Sequence, residues 1–339
     1  MMMGPERRRA NTSYLDRKKM RKKPIIIAHR GASGYLPEHT LPAKAMAHAM
    51  GPDFIEQDVV ITKDDRAIVV HDRFLETVSD VTKKFIERKR IDGRYYAVDF
   101  TLDEIKHLRL HERVDRKSGE PVYPKRFPLD AITPFEIPTL EEEIELIQGL
   151  NRSRGVDIGI YVEIKAPAFH RLEGKRIEEI VLDILDRYGY NSTESNCYIQ
   201  CFEPESLVYM RREMGCGLKM IQLIGDNTWE ETPGVDYYQM ITREGLDEVA
   251  SYANAIGPSV YPVIADMGMG KEPRVTEFVD WAHERDLDVH AFTFRADALP
   301  SYVDSFDKLL DLIFRRAQVD GIFTDFPDYA VEHLKKAGY

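Results

Sequence analysis

Three cysteines in 339 residues are too few for a disulfide scaffold. Cys197 and Cys201 fall four apart in an expected strand, roughly 13 Å at the usual rise, too far to pair with each other. A pairing with Cys216 stays open, but reduced thiols are the expectation, which points to a reducing setting. Long apolar runs are also missing. None approaches the roughly 20 residues needed to cross a bilayer, so no membrane span is expected. No internal repeat or low-complexity tract stands out in the body of the chain.

The amino terminus is the exception in charge. Residues 1–23 hold nine Lys or Arg against two acids, so the remainder carries about −18 of the overall −11. This stretch reads as a basic, disordered arm. No apolar segment of about 7 to 15 residues follows it before Pro24, so it does not read as a secretion signal, and on that ground a cytoplasmic location is expected. The acidic body disfavours nucleic acid as a partner. With 43% hydrophobic residues and 31% charged ones, the chain can bury a large core. Scattered surface apolars leave a homodimer open.

Short apolar runs alternate with amphipathic stretches along the rest of the chain. Strands are expected at Ile25 to His29, Phe54 to Val60, Ile158 to Lys165, 197–202, 218–224, 255–259, 288–294 and 321–325, each with a helix after it. Helices are expected from Thr40 to Met50, Thr139 to Leu150, 174–188, 204–214, 244–254, 273–286, 301–317 and Pro327 to Lys336. Thr139 and Glu142 form a capping-box pattern. Eight strand-helix units specify a closed (β/α)8 barrel, a TIM barrel, more naturally than an open sheet. Ala67 to His71 is expected to return as a partner of the second strand. Residues 76–137, rich in Lys, Arg and Pro, break the rhythm and read as a capping insertion after the second unit, within one domain over residues 24–339.

In such a barrel the working residues sit where strands end on the carboxyl side. Those positions hold His29, Arg30, Glu56, Asp58, His71, Glu163, Lys165, Gln200, Phe202, Phe292 to Arg295, Thr324 and Asp325. Glu56 and Asp58 stand two apart on one strand and so share a face. Glu163, embedded in an apolar run, needs a buried partner. Three carboxylates suit one divalent cation, Ca²⁺ or Mg²⁺, with positions left open for substrate oxygens. Zinc is not expected, because its sites favour Cys and His and no CxxC spacing occurs. A hard cation with Arg30 and Lys165 makes a phosphate pocket, and two histidines supply an acid and a base, the parts that phosphodiester cleavage requires. Lys165 could instead simply pair with Glu163, and Gln200 and Phe202 could serve packing. His39, His107, His111, His170, His283 and His290 read as surface or structural residues.

Four separated motifs carry a family resemblance: Ile-Ala-His29-Arg30-Gly31-Ala-Ser-Gly-Tyr-Leu-Pro37-Glu38-His39-Thr40, then Glu56-Gln-Asp58 with His71-Asp72, then Tyr-Val-Glu163-Ile-Lys165-Ala-Pro167, and Gly321-Ile-Phe-Thr324-Asp325-Phe-Pro327. With Gln200-Cys-Phe202 and Asp92-Gly-Arg-Tyr-Tyr96, residues 24 to about 335 resemble the glycerophosphodiester phosphodiesterases, and most closely the bacterial, periplasmic-type enzymes that take deacylated phospholipids. The resemblance implies a TIM barrel, a small-molecule glycerophosphodiester substrate, His29 and His71 as acid-base pair, and Arg30 on the phosphate. It also implies Glu56, Asp58 and Glu163 on Ca²⁺ or Mg²⁺, a supporting role for Glu38, and export from the cytoplasm. A lysophospholipase D is the alternative activity. Two positions depart from the wider pattern. His39 stands where Asn is frequent, and Phe292-Thr293-Phe294-Arg295 stands where Trp-Thr-Val-Asn is frequent, so no role is carried onto them.

Overall fold

The computed structural model describes residues 23–229, 232, 234–266 and 272–339. Apart from Lys23, the basic arm lies outside the described residues. β1 (Ile25–Ala28) leads to α1 (Leu41–Met50), whose first turn is capped by the Thr40 side chain accepting from Ala43 N. β2 (Phe54–Ile61) is buried along its whole length and folds back through a polar turn onto β3 (Ala67–Val69) as an antiparallel hairpin. After a long excursion containing α2 (Leu102–Lys106), the chain returns to the barrel wall with α3 (Leu140–Arg154). Thr139 and Glu142 cap α3 reciprocally, and Gly155 ends it in the left-handed region that glycine tolerates.

Strand and helix then alternate: β4 (Gly159–Ile164), α4 (Ile177–Arg187), β5 (Cys197–Cys201), α5 (Pro204–Arg212), β6 (Lys219–Ile224), α6 (Arg243–Val249) and β7 (Ala255–Pro258). The series ends with α7 (Phe278–His283), β8 (Asp288–Phe294), α8 (Phe306–Asp311), β9 (Gly321–Thr324) and α9 (Pro327–Lys336). β1 pairs in parallel with both β2 and β9, which closes an eight-stranded parallel barrel with β3 appended outside it. This is the TIM-barrel architecture that the spacing predicts.

The edges differ from expectation where capping and pairing overrule periodicity. The helix expected over 301–317 starts only at Phe306, because the Ser305 side chain caps Lys308 N; it continues as a wider π-type turn over Leu312–Ala317. The one expected over 273–286 is shortened, since Arg274–Val275 is drawn into a two-residue ladder with Ile264–Ala265. A short helix, Pro167–Leu172, stands apart from α4. All three cysteines are buried and free.

Two features position the site. Inside the barrel, Ile27, Phe54, Tyr161, Ile221 and Phe323 form a plug, and the Tyr161 hydroxyl meets His290 Nδ1 at 2.8 Å. Above the barrel, the excursion between β3 and α3 builds a small core of its own. Val78, Phe100, Ile105, Leu110 and Ile137 pack there against Val60 and Ile68 of the hairpin. Each such buried side chain contributes about 1.5–3 kcal/mol, so this cap is anchored by packing, not by charge alone. Among the described residues, no helix is long and apolar enough to cross a membrane.

Candidate active site

The register of the barrel decides which side chains meet. Asp58 on β2 lies opposite Glu163 on β4, and Glu163 lies opposite Gln200 on β5, so one row of polar side chains crosses three strands. Glu56, two residues before Asp58, faces the same way and accepts from Gln200 Nε2 at 2.9 Å. Carboxylate oxygens of Glu56, Asp58 and Glu163 all lie within 4.8 Å of one another, and all three residues are buried. Among the described residues, Asp58 Oδ1 has no hydrogen-bond partner. Burial and the neighbouring Asp58 push the Glu56 carboxyl up to about 8. Burial would raise Asp58 too, but His39 and, further off, His71 and Lys165 hold it well below the usual carboxylate range. Three buried acids, one of them driven to hold a proton and another with an orphaned oxygen, fit a divalent cation, which removes both costs.

Just past β1 the backbone turns sharply. Arg30 takes φ +57° and Gly31 φ +88°, where a Cβ on Gly31 would meet the Ala43 carbonyl at 3.0 Å. The turn aims Arg30 inward. Its N–H donates to Glu56 Oε2 at 2.9 Å, its Nη1 to Glu38 at 2.9 Å, and its Nε lies 3.5 Å from Asp58. His29 Nδ1 meets Asp325 Oδ1 at 2.6 Å, leaving Nε2 3.8 Å from Glu56. His71 Nδ1 meets Asp72 Oδ1 at 2.7 Å, and its Nε2 accepts from Lys165 at 3.5 Å. Burial, with Arg30 beside it, brings His29 down to about 4 against the pull of Asp325. Burial and the cations Arg30 and Lys165 likewise lower His71. Both shifts favour the neutral imidazole. Lys165 pairs with Glu163 at 2.8 Å and lies 5.5 Å over the Phe202 ring, so the ion pair sits beside the cavity.

These groups form one wall of a cavity of about 470 Å³; the other wall is apolar, with Phe202, Leu223, Trp229, Val260 and Phe292. Phe202 packs edge-on against Phe292 at 5.8 Å and Trp229 at 6.4 Å. Of the residues expected from the sequence, His29, Arg30, Glu56, His71, Glu163, Gln200 and Phe202 line this cavity, while Asp58 and Lys165 lie buried behind it against Glu163. Glu38 lines a smaller adjoining recess of about 170 Å³ roofed by Arg113, Tyr123 and Arg126 from the cap. The sequence does not signal those two arginines, nor the part that Arg295 and Asp325, both at strand ends, play beneath His29. Asp325 was visible as a strand end, whereas the cap arginines sit in a stretch with no periodicity to aim them. His39 is structural, as expected, but it works beside the site. Its Nε2 meets Asp58 Oδ2 at 2.7 Å while buried Lys44 reaches its Nδ1 at 3.1 Å.

The model of the glycerophosphoryl diester phosphodiesterase family matches residues 29–329. The chain belongs to this family. A glycerophosphodiester phosphodiesterase of Haemophilus influenzae is 42% identical over 342 residues, spanning 96% of this chain and 94% of the relative. One from Treponema pallidum is 36% identical, spanning 92% of each. A crystal structure from Silicibacter pomeroyi superimposes with a TM-score of 0.69 at 25% identity, covering 94% of this chain and 95% of that one. The motif positions quoted from the sequence lie within the matched residues, and the chain is a phosphoric diester hydrolase.

Proposed function

We propose that the protein hydrolyses small glycerophosphodiesters, such as glycerophosphocholine and glycerophosphoethanolamine, to sn-glycerol 3-phosphate and the free alcohol. The observation that carries the reading is the pairing of each histidine Nδ1 with a carboxylate, which leaves each Nε2 free to face a cavity lined by Glu56, Glu163 and Arg30. An imidazole so held accepts a proton at Nε2 and returns it, the requirement for a general base and acid. One histidine removes the proton of the glycerol 2-hydroxyl, whose oxygen attacks phosphorus; the other delivers a proton to the departing alkoxide. The roles reverse when water opens the cyclic phosphate. Arg30 and Lys165 orient the phosphoryl oxygens, and Gln200 steadies Glu56. A Ca²⁺ or Mg²⁺ held by Glu56, Asp58 and Glu163 would neutralise charge developing on those oxygens.

The apolar wall supports a second reading. Phe202, Trp229 and Phe292 offer surface that an acyl chain would also take, as in a lysophospholipase D. A coupled assay for glycerol 3-phosphate release across glycerophosphodiesters and lysolipids, with and without EDTA, decides between them. Turnover confined to the water-soluble diesters, abolished by EDTA and restored by Ca²⁺ or Mg²⁺, is expected. Turnover of lysolipids alone, or full activity in excess EDTA, would contradict the proposal. A cyclic glycerophosphate seen by phosphorus NMR during turnover would support internal attack, and its absence would favour direct attack by water.

A further inference from the structure

We propose that the cap fixes the tautomer and orientation of both histidines through two matched chains, Arg113–Asp72–His71 and Arg126–Asp325–His29. The inference rests on the reading of His29 and His71 as the acid-base pair. In each chain one aspartate oxygen takes the ring Nδ1, at 2.7 Å for His71 and 2.6 Å for His29. The second oxygen takes a guanidinium from the cap, at 2.5 Å from Arg113 and 2.7 Å from Arg126. A carboxylate gripped at both oxygens cannot rotate. An ionised carboxylate also only accepts, so it keeps the proton on Nδ1 and the lone pair on Nε2. On the His71 side Lys165 gives an independent reading of the same tautomer, since an ammonium can only donate to Nε2.

Each arginine is itself immobilised. Arg113 reaches Glu38 through Nε and Nη2 at 3.0 and 2.6 Å, and Glu38 in turn holds Arg30. Arg126 is forked onto Asp297 at 2.9 and 3.1 Å, donates to the Ser33 carbonyl at 3.2 Å, and stacks 3.6 Å from the Tyr123 ring centroid. Such planar, multidentate clamps suit arginine and not lysine. The chains differ in one respect: Asp325 is also held by Arg295 at 2.8 Å, whereas Thr77 at 3.1 Å is the lesser second support of Asp72. Losing Arg126 should therefore cost less than losing Arg113. Arg90 provides the contrast. It ties the cap to the barrel by bridging Asp99 and Glu173, but its partners hold no histidine of the cavity.

The test uses the full chain labelled with ¹⁵N-histidine, its imidazole signals assigned from the His29→Asn and His71→Asn variants. Wild type should show both rings protonated at Nδ1. Arg113→Met should scramble His71 alone and lower kcat roughly 10- to 100-fold with KM within about threefold; Arg126→Met should disturb His29 alone and lower kcat roughly 3- to 10-fold. Arg90→Met should alter neither ring nor kcat. The proposal is overturned if either wild-type ring carries its proton on Nε2, if both arginine variants keep wild-type ring signals, if their loss falls on KM, or if Arg90→Met reproduces them. Should a methionine variant fail to fold, Arg113→Lys and Arg126→Lys keep the charge but lose the fork and are judged by the same ring signals. If His29→Asn and His71→Asn retain turnover, the acid-base reading falls, while the tautomer signals still decide the role of the cap.

Discussion

The two walls of the cavity are built on different physics. The wall from β1, β2 and β4 is charged, nearly dry and densely cross-bonded, so each group there is fixed by several others. The wall from the ends of β5 to β8 brings the rings of Phe202, Trp229 and Phe292 into contact, with Trp229 at the rim 42% exposed. A buried charged network is rigid because every unpaired member is costly, whereas an aromatic surface gives area and shape at little penalty for small shifts. The first wall is suited to chemistry and the second to fit.

Substitutions on the charged wall should therefore act on kcat. His29→Ala or His71→Ala is expected to lower kcat roughly 10² to 10⁴-fold with the fold intact by circular dichroism; near-normal turnover in both would erase the distinction between walls. Next in size is Lys44→Met, which strips the cation from the fully buried Glu143 that it meets at 3.0 Å. That should cost about 3–5 kcal/mol by urea unfolding. Adding Ca²⁺ to metal-free protein at about 100 times its Kd should stabilise by about 2.7 kcal/mol, seen as a raised Tm, and Asp58→Asn should abolish the shift. On the apolar wall, Trp229→Ala should raise KM about tenfold and leave kcat within about twofold, because the ring lines the apolar side of the cavity, across from the histidines and carboxylates. A kcat loss there would mean that the walls are not separable.

The smallest effect lies outside both walls and serves as a baseline. His283 at the end of α7 meets Asp320 at 2.8 Å, and although burial lowers the ring, Asp320 outweighs it and raises His283 above its usual 6.5. Protonation is then favoured in the folded state, so the contribution is complete below about pH 6.5 and is lost as pH rises through the raised folded value. His283→Gln should lower Tm slightly near pH 5.5 and not at pH 9. Asp320, held low by that pairing and by Val289 N, sets the acid limit of the window.

The same contrast explains what could be read from the sequence. Residues of the charged wall sit at the ends of continuous apolar strands, where register and alternation aim each side chain, so His29, Glu56, Asp58 and Glu163 could be placed together from spacing alone. The barrel followed from eight repeats of one rhythm. Phe202 and Phe292 of the apolar wall also stand at strand ends and are equally legible, but Trp229, Arg113 and Arg126 come from loops and owe their direction to contacts distant in sequence and to no local period. His39 reads from the sequence as a structural residue, and its φ of +59° and its buried partner Lys44, which no local pattern signals, place it beside Asp58 of the acidic triad.

The pairing of β1 with β9 makes the active centre a check on completeness. His29 and the Asp325 that orients it are 296 residues apart. During synthesis the first strand emerges early, yet its histidine has no fixed proton position until the last strand has been made and slotted beside it. A chain that stops short, or that fails to close the ring, holds most of the same side chains and still lacks the carboxylate that meets the His29 ring.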